Sequence, residues 1–243
     1  MTFIAEPLRT LAVPEKPSVC VVIPMWNKTA DTCVLAYNAV NSVFIQTDRD
    51  KVDLRVVLVD NSSPVQATWV GSANDWDVVL LRKNRGFGPA VNLGMSLHPE
   101  TDYVCQMNSD CELVEDSINK LIRVIEANDV DVAMPESYDN CKHYGLDKGP
   151  DEYDLMGSDW RFGAFWVMRR SMWDEVLGFD ERFKMCYWED TDLWKRVEKA
   201  GGTIAGCRWT WVKHVGGASS IPERDYYFNE NKRLFEEKWG ITT

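Results

Sequence analysis

The chain has 243 residues, 45% hydrophobic and 27% charged, the ordinary balance of a globular protein long enough to bury a substantial core. Lys and Arg number 27 against 38 Asp and Glu, and the net charge of −11 excludes broad, sequence-independent contact with nucleic-acid phosphate or an anionic membrane. Seven Cys without paired C-x-x-C spacing argue for free thiols in a reducing compartment. No stretch approaches the roughly 20 apolar residues of a membrane span, and the N-terminus lacks the basic and apolar regions of a signal peptide. A cytoplasmic protein is expected. The 11 Trp are unusual, and each is either a bulky core filler or a flat face for a sugar or base.

In chain order, residues 1–17, with Pro7, Pro14 and Pro17, read as an irregular lead-in. Val19 to Pro24 is a continuous β-rich run, the pattern of a strand buried on both faces. A helix is predicted from Thr29 to Phe44, a second buried strand from Leu54 to Val59, and a short third strand from Val78 to Leu81. Gly88 to Leu97 reads as a helix opened by Gly-Pro, Asp102 to Met107 as a strand, and Ser117 to Ala127 as a helix with an apolar stripe. Val130 to Met134 is a further strand. Residues 136–158, rich in Asp, Gly, Tyr and Lys, read as a loop or an acceptor-facing insertion. Phe162 to Met168 returns to β character, followed by a short helix over Ser171 to Val176. Asp190 to Ala200 is an amphipathic helix stopped by Gly201-Gly202, Thr203 to Trp211 a strand, and Asp225 to Trp239 a charged aromatic helix. Alternating strands and helices predict an α/β domain with a mostly parallel sheet covered on both faces.

The stretch Tyr103-Val104-Cys105-Gln106-Met107-Asn108-Ser109-Asp110-Cys111-Glu112 ends a strand in a cluster of oxygen ligands. Hard cations such as Mg²⁺ or Mn²⁺ take such oxygens, often together with substrate phosphates. In open α/β sheets ligands sit beyond the carboxyl ends of strands, so a metal–diphosphate complex fits here; a solvated acidic turn is the competing reading. Asp60 ends another strand, where a carboxylate accepts from a base imide or a ribose hydroxyl, or caps a helix. Asn84-Arg85-Gly86-Phe87-Gly88 lets the backbone approach a phosphate and supplies a cation. It is neither a Walker loop nor a dinucleotide fingerprint.

Five motifs follow in order: Val21-Val22-Ile23-Pro24-Met25-Trp26-Asn27, Val57-Leu58-Val59-Asp60-Asn61-Ser62-Ser63, Asn84 to Gly94, Asn108-Ser109-Asp110, and Trp188-Glu189-Asp190-Thr191-Asp192-Leu193. Together they resemble the inverting family 2 glycosyltransferases of GT-A fold, closest to rhamnosyltransferase-like members, over about residues 19–239. The resemblance implies one GT-A domain with a nucleotide half at about 19–112, an acceptor half at about 113–220 and a C-terminal helix. It places the nucleotide on Pro24, Met25, Asn27, Asp60, Asn61, Arg85, Gly86, Asn92, Asn108 and Ser109. It implies Mn²⁺ or Mg²⁺ on Asp110 and His214, with Asn108 standing where the family's Asp-x-Asp has its first Asp. Asp190 becomes the general base, with Glu189 as an acceptor-orienting neighbour. Trp160, Phe162, Gly163 and Trp188 fall on the sugar side. A carboxylate at a helix N-terminus is expected to favour its charged form. The implied donor is a UDP-, dTDP- or GDP-linked sugar, and the acceptor a glycan, lipid-linked or protein hydroxyl. The alternatives are a sugar-phosphate nucleotidyltransferase, a non-catalytic carbohydrate-binding protein, and a DNA-base glucosyltransferase, which the charge disfavours.

Overall fold

The computed structural model describes residues 16–67, 69, 76–135, 153–155, 163–207, 209–217 and 223–243. The Pro7 and Pro14 lead-in and most of the 136–158 segment fall outside these residues.

The first strand, β1 (Ser18–Met25), is followed by α1 (Ala30–Gln46), β2 (Asp53–Asp60), β3 (Asp77–Leu80) and α2 (Phe87–Met95). Next come β4 (Tyr103–Met107), β5 (Cys111–Leu113), α3 (Ser117–Asn128), β6 (Val132–Pro135), β7 (Tyr153–Leu155), β8 (Phe165–Arg169) and α4 (Arg170–Glu175). The described chain ends with α5 (Glu189–Lys199), β9 (Ile204–Cys207), β10 (Val212–His214) and α6 (Arg224–Trp239).

Among the described residues an eight-stranded sheet runs β3-β2-β1-β4-β8-β6-β9-β7, and β10 pairs with β5 in a separate two-stranded sheet. The block from β3 to β4 is parallel, as is β6 with β9. β8 is antiparallel to both its neighbours, and β7 to β9. The sheet is therefore mostly parallel, as the sequence pattern predicts.

β1 shows why its run is apolar throughout. Val19, Val21 and Ile23 pack with Ala39, Val40, Leu121 and Ile125 on one face. Cys20 and Val22 pack with Ala90, Val91 and Met95 on the other. A strand covered on both sides has no polar face to alternate with. α1 starts on a capping box, in which the Thr29 hydroxyl accepts the Thr32 N–H while the Thr32 hydroxyl accepts the Thr29 N–H. Three of the Trp are core fillers: Trp166, Trp173 and Trp194 pack edge-on or tilted in the core, with ring centroids 5.4–5.9 Å apart for the Trp166 pairs.

Two predicted elements differ, and one short strand was not predicted. The strand expected over 203–211 is shorter: β9 stops at Cys207, opposite Pro135, which ends β6 and has no N–H to extend the ladder, and β10 begins only at Val212. The chain then crosses to β5, a three-residue strand too short to leave a periodic signal. The 136–158 loop contains β7 at 153–155.

Candidate active site

The carboxyl ends of β1, β2 and β4 open onto one cavity of about 540 Å³. Pro24, Met25 and Trp26 line it from β1, Asn61 from the end of β2, Asn84 and Phe87 from the approach to α2, and Asn108, Ser109 and Asp110 from the end of β4. Gly163 and Ala164 come from the approach to β8, residues 185–191 from the loop into α5 and its first turn, and His214, Gly217 and Phe228 from further along the chain. Eleven of the residues predicted for the site thus meet in one space: Pro24, Met25, Asn61, Asn108, Ser109, Asp110, Gly163, Trp188, Glu189, Asp190 and His214. Trp160 and Phe162 lie outside the described residues.

Five predicted nucleotide contacts do not line the cavity and instead build its wall. Asn27, almost fully buried, donates its N–H to the Ser63 hydroxyl (2.8 Å) and accepts the Val65 N–H on its carbonyl (3.0 Å). The Asp60 carboxylate accepts the Ser63 N–H at 2.7 Å and so closes a local turn. Arg85 projects outward, half exposed, with Glu181 4.0 Å away. The amide of Asn92 brackets Phe179, accepting its N–H and donating to its carbonyl, both at 2.9 Å. Gly86 has φ +93°, and an added Cβ would stand 2.9 Å from the Met185 nitrogen. Only Gly permits that conformation and that approach. Asn61 joins these pieces: its amide donates to the Gly86 carbonyl (2.9 Å) and accepts the Arg85 N–H (2.8 Å).

At the end of β4, Gln106 donates to the Asn108 Oδ1 at 2.8 Å, which leaves the Asn108 NH₂ as its cavity-side donor. A donor suits a hydroxyl or phosphate oxygen and not a cation. Asp110 and His214 are brought together by the two-stranded sheet, whose register sets His214 opposite Cys111. The His214 Nε2 lies 3.3 Å from the Asp110 Oδ1. One carboxylate oxygen and one imidazole nitrogen at that spacing fit two corners around a hard divalent ion whose remaining ligands are phosphate or water. Cys111 completes a group whose ligand atoms lie within 4.8 Å of one another. Burial, then the charge of Asp110, pushes its thiol well above the usual range.

The acidic pair opens α5. Glu189 is buried, and its Oε2 has no hydrogen-bond partner. Burial, then the charge of Asp190, raises its carboxyl well above the ordinary value. Asp190 is also raised, by burial, against the pull of the Thr191 N–H that its Oδ1 accepts at 2.7 Å. The predicted charge-favouring effect of the helix end is therefore overturned, because desolvation outweighs it. Both carboxyls are thus shifted towards their neutral forms, Glu189 by burial and by the charge of its neighbour. Gly163 faces them, and a Cβ there would stand 2.2 Å from the Asp190 Oδ2. Asp192, expected only to extend the acidic turn, is fully buried between the Arg196 Nε (2.7 Å), the Lys238 Nζ (2.6 Å) and the Trp239 Nε1 (3.0 Å).

The sequence reading missed Met185, Cys186, Tyr187, Thr191 and Phe228. The loop residues had one signal, their place just before the acidic pair. Phe228 had none, since α6 is remote in sequence. Met185, Tyr187 and Trp188 carry φ of +58°, +79° and +71°. For residues with a Cβ each such conformation costs about 1–3 kcal/mol and persists only where surrounding contacts enforce it.

With this geometry in place, comparison with known proteins is direct. The chain belongs to glycosyl transferase family 2, whose model matches residues 20–194. It is 23% identical over 245 residues to the O-antigen biosynthesis protein RfbC of Myxococcus xanthus, covering 88% of this chain and 19% of that one. The chain thus spans about a fifth of that relative's length. Among solved structures, GalNAc-T7 with UDP, GalNAc and Mn²⁺ superposes with a TM-score of 0.68 at 13% identity, over 93% of this chain and 49% of that one. S. aureus TarS 1–349 superposes at 0.62 in complex with UDP and 0.64 with UDP-GlcNAc, each at 16% identity and 91% coverage of this chain, 65% and 66% of theirs. The fold is GT-A. Among the described residues no helix is long and apolar enough to cross a membrane.

Proposed function

We propose that this chain is an inverting glycosyltransferase that moves a sugar from a nucleoside-diphosphate donor to an acceptor hydroxyl in a single, metal-assisted displacement. The observation that carries this reading is that one cavity holds both the Asp110–His214 pair and the Glu189–Asp190 pair. Asp190 takes the acceptor proton as the acceptor oxygen bonds to the anomeric carbon. The bond from that carbon to the diphosphate oxygen breaks, and its electrons leave with the nucleoside diphosphate. Glu189, next to Asp190 in the cavity, orients the acceptor. Asn108 and Ser109 hold the nucleotide with Asn61 and the Pro24–Trp26 turn. Asp110 and His214 would hold Mn²⁺ or Mg²⁺, which when bound offsets the charge of the leaving diphosphate.

The solved relatives' UDP supports a uridine donor ahead of dTDP or GDP, and Mn²⁺ in one of them supports manganese. The acceptor is a glycan, lipid-linked or protein hydroxyl. A cytoplasmic location belongs to the same reading, supported by the thiols of Cys20, Cys33, Cys105, Cys111 and Cys186, none of which is in a disulfide. The test is incubation with UDP-, dTDP- and GDP-sugars with and without Mn²⁺, following nucleoside diphosphate release and the product's anomeric configuration by NMR. Release of nucleoside diphosphate with inversion is expected. Pyrophosphate release would indicate a nucleotidyltransferase, and retained configuration would remove Asp190 from its role.

A further inference from the structure

The loop that delivers the acidic pair is held from a part of the chain beyond residue 194, where the family match ends. Asn231 lies in the middle of α6 and is 2% exposed. Its Oδ1 accepts the Lys184 N–H at 3.0 Å. Its Nδ2 donates to the carbonyls of Lys184 (2.7 Å), Cys186 (3.0 Å) and Tyr187 (3.1 Å). One side-chain amide therefore satisfies four backbone groups of the segment that contains the left-handed residues Met185, Tyr187 and Trp188. On the other side of the segment the Met185 carbonyl accepts the Phe87 N–H. The same helix packs Phe228 and Phe235 on the Trp188 ring, with centroids 5.7 and 5.1 Å apart.

We propose that Asn231 is a positioning residue for the transfer reaction: it holds residues 184–188 in their strained path and so places Trp188, Glu189 and Asp190 around the acceptor. The reason is conformational. Without a partner enforcing them, three left-handed residues relax toward ordinary backbone, and every residue after them in the loop moves. The amide suits this task because it offers an acceptor and two donors on one rigid group. Leu or Ala offers neither, and a carboxylate would turn an acceptor toward three carbonyls. The donor side of the cavity is built by the ends of β1, β2 and β4, which Asn231 does not touch. Its loss therefore acts on turnover and not on donor affinity. The catalytic half of this statement rests on the transferase reading above. The structural half stands on the hydrogen bonds alone.

The test compares Asn231→Ala, the milder Asn231→Ser and a remote core control, Val124→Ala in α3, with the parent chain. Two readouts are taken: hydrogen–deuterium exchange, and nucleoside diphosphate release from UDP-, dTDP- and GDP-sugars in Mn²⁺. Asn231→Ala is expected to speed exchange over 184–191 at least tenfold while α3 and β8 change less than twofold. It should lower kcat at least tenfold with the donor KM within twofold. Asn231→Ser, which keeps one donor and one acceptor, should fall between. Val124→Ala should lower the melting temperature with neither effect. Unchanged exchange over 184–191, or a kcat loss equalled by Val124→Ala, overturns the proposal. If the parent consumes no nucleotide sugar, the transferase reading fails, and the exchange over 184–191 alone supports or refutes the clamp.

Discussion

Residues 19–112 and residues 113–239 contribute to the same cavity by different means. In the first span, buried parallel strands end in short turns that carry the site residues, and those turns are held by their neighbours: Asp60 by Ser63, Asn61 by Arg85 and Gly86. Ser62 is the one non-glycine residue described there with positive φ. In the second span, the acidic pair follows a loop with three such residues in four positions, and its supports lie more than 40 residues away on α6. A binding platform can be made from local turns because a nucleotide tolerates several backbone contacts of similar geometry. A proton acceptor must stand at one point, and long-range contacts enforce that point at the expense of local strain.

The largest expected effect tests whether the second span holds the chemistry at all. Asp190→Asn should lower kcat by about 10²–10⁴-fold with little change in donor KM, read by nucleoside diphosphate release. Near-parental turnover would put the base elsewhere. Asp192→Ala asks whether the distant support is as strong as its burial indicates. It leaves Arg196 and Lys238 without their shared carboxylate, and a loss of roughly 3–5 kcal/mol is expected in urea unfolding. A loss below about 1 kcal/mol, the range of surface pairs, would erase the contrast between the two spans.

Gly163→Ala sharpens the comparison within the site. The added methyl must displace the Asp190 carboxylate, and a kcat lower by about 10²-fold, with the fold intact by circular dichroism, is the expected outcome. His214→Ala probes the donor side. It should weaken the Mn²⁺-dependent part of UDP binding by roughly tenfold in calorimetry and leave metal-free binding as it was.

The smallest effect concerns stability. Because the folded-state pKa of Glu189 is raised, the unfolded chain loses this proton first as pH rises. The stabilising contribution of the protonated group is fully present below the unfolded value and is lost as pH rises through the folded one. Glu189→Gln should therefore melt higher than the parent at neutral pH, and the difference should vanish on acidification to about pH 4, near the unfolded value. A difference independent of pH would mean that Glu189 is not desolvated.

Much of the first span was legible from residues alone. An apolar run such as Val19 to Ile23 has one stable environment, a sheet covered on both faces, and the polar ends of β1, β2 and β4 then face one edge of that sheet. The ordered motifs from Val21 to Leu193 were legible through their resemblance to a known family, and each sits at a strand or helix end. Asp60 and Asn92 were less legible, since their side chains suit a ligand and a neighbouring backbone equally well. Only packing decides which partner is nearer.

The residues alone therefore determined the α/β class and the mostly parallel sheet, because hydrophobic period and turn chemistry are local properties, and five ordered motifs carried the resemblance to the family. Tertiary structure alone decided that β10 pairs with β5, that Glu189 is buried without a partner for its Oε2, and that Asn231 and Lys238 reach back from the last helix to the loop before the acidic pair and to Asp192. Those facts depend on contacts between segments far apart in the chain, and no local pattern encodes which of many compatible partners will be adjacent once the core has closed.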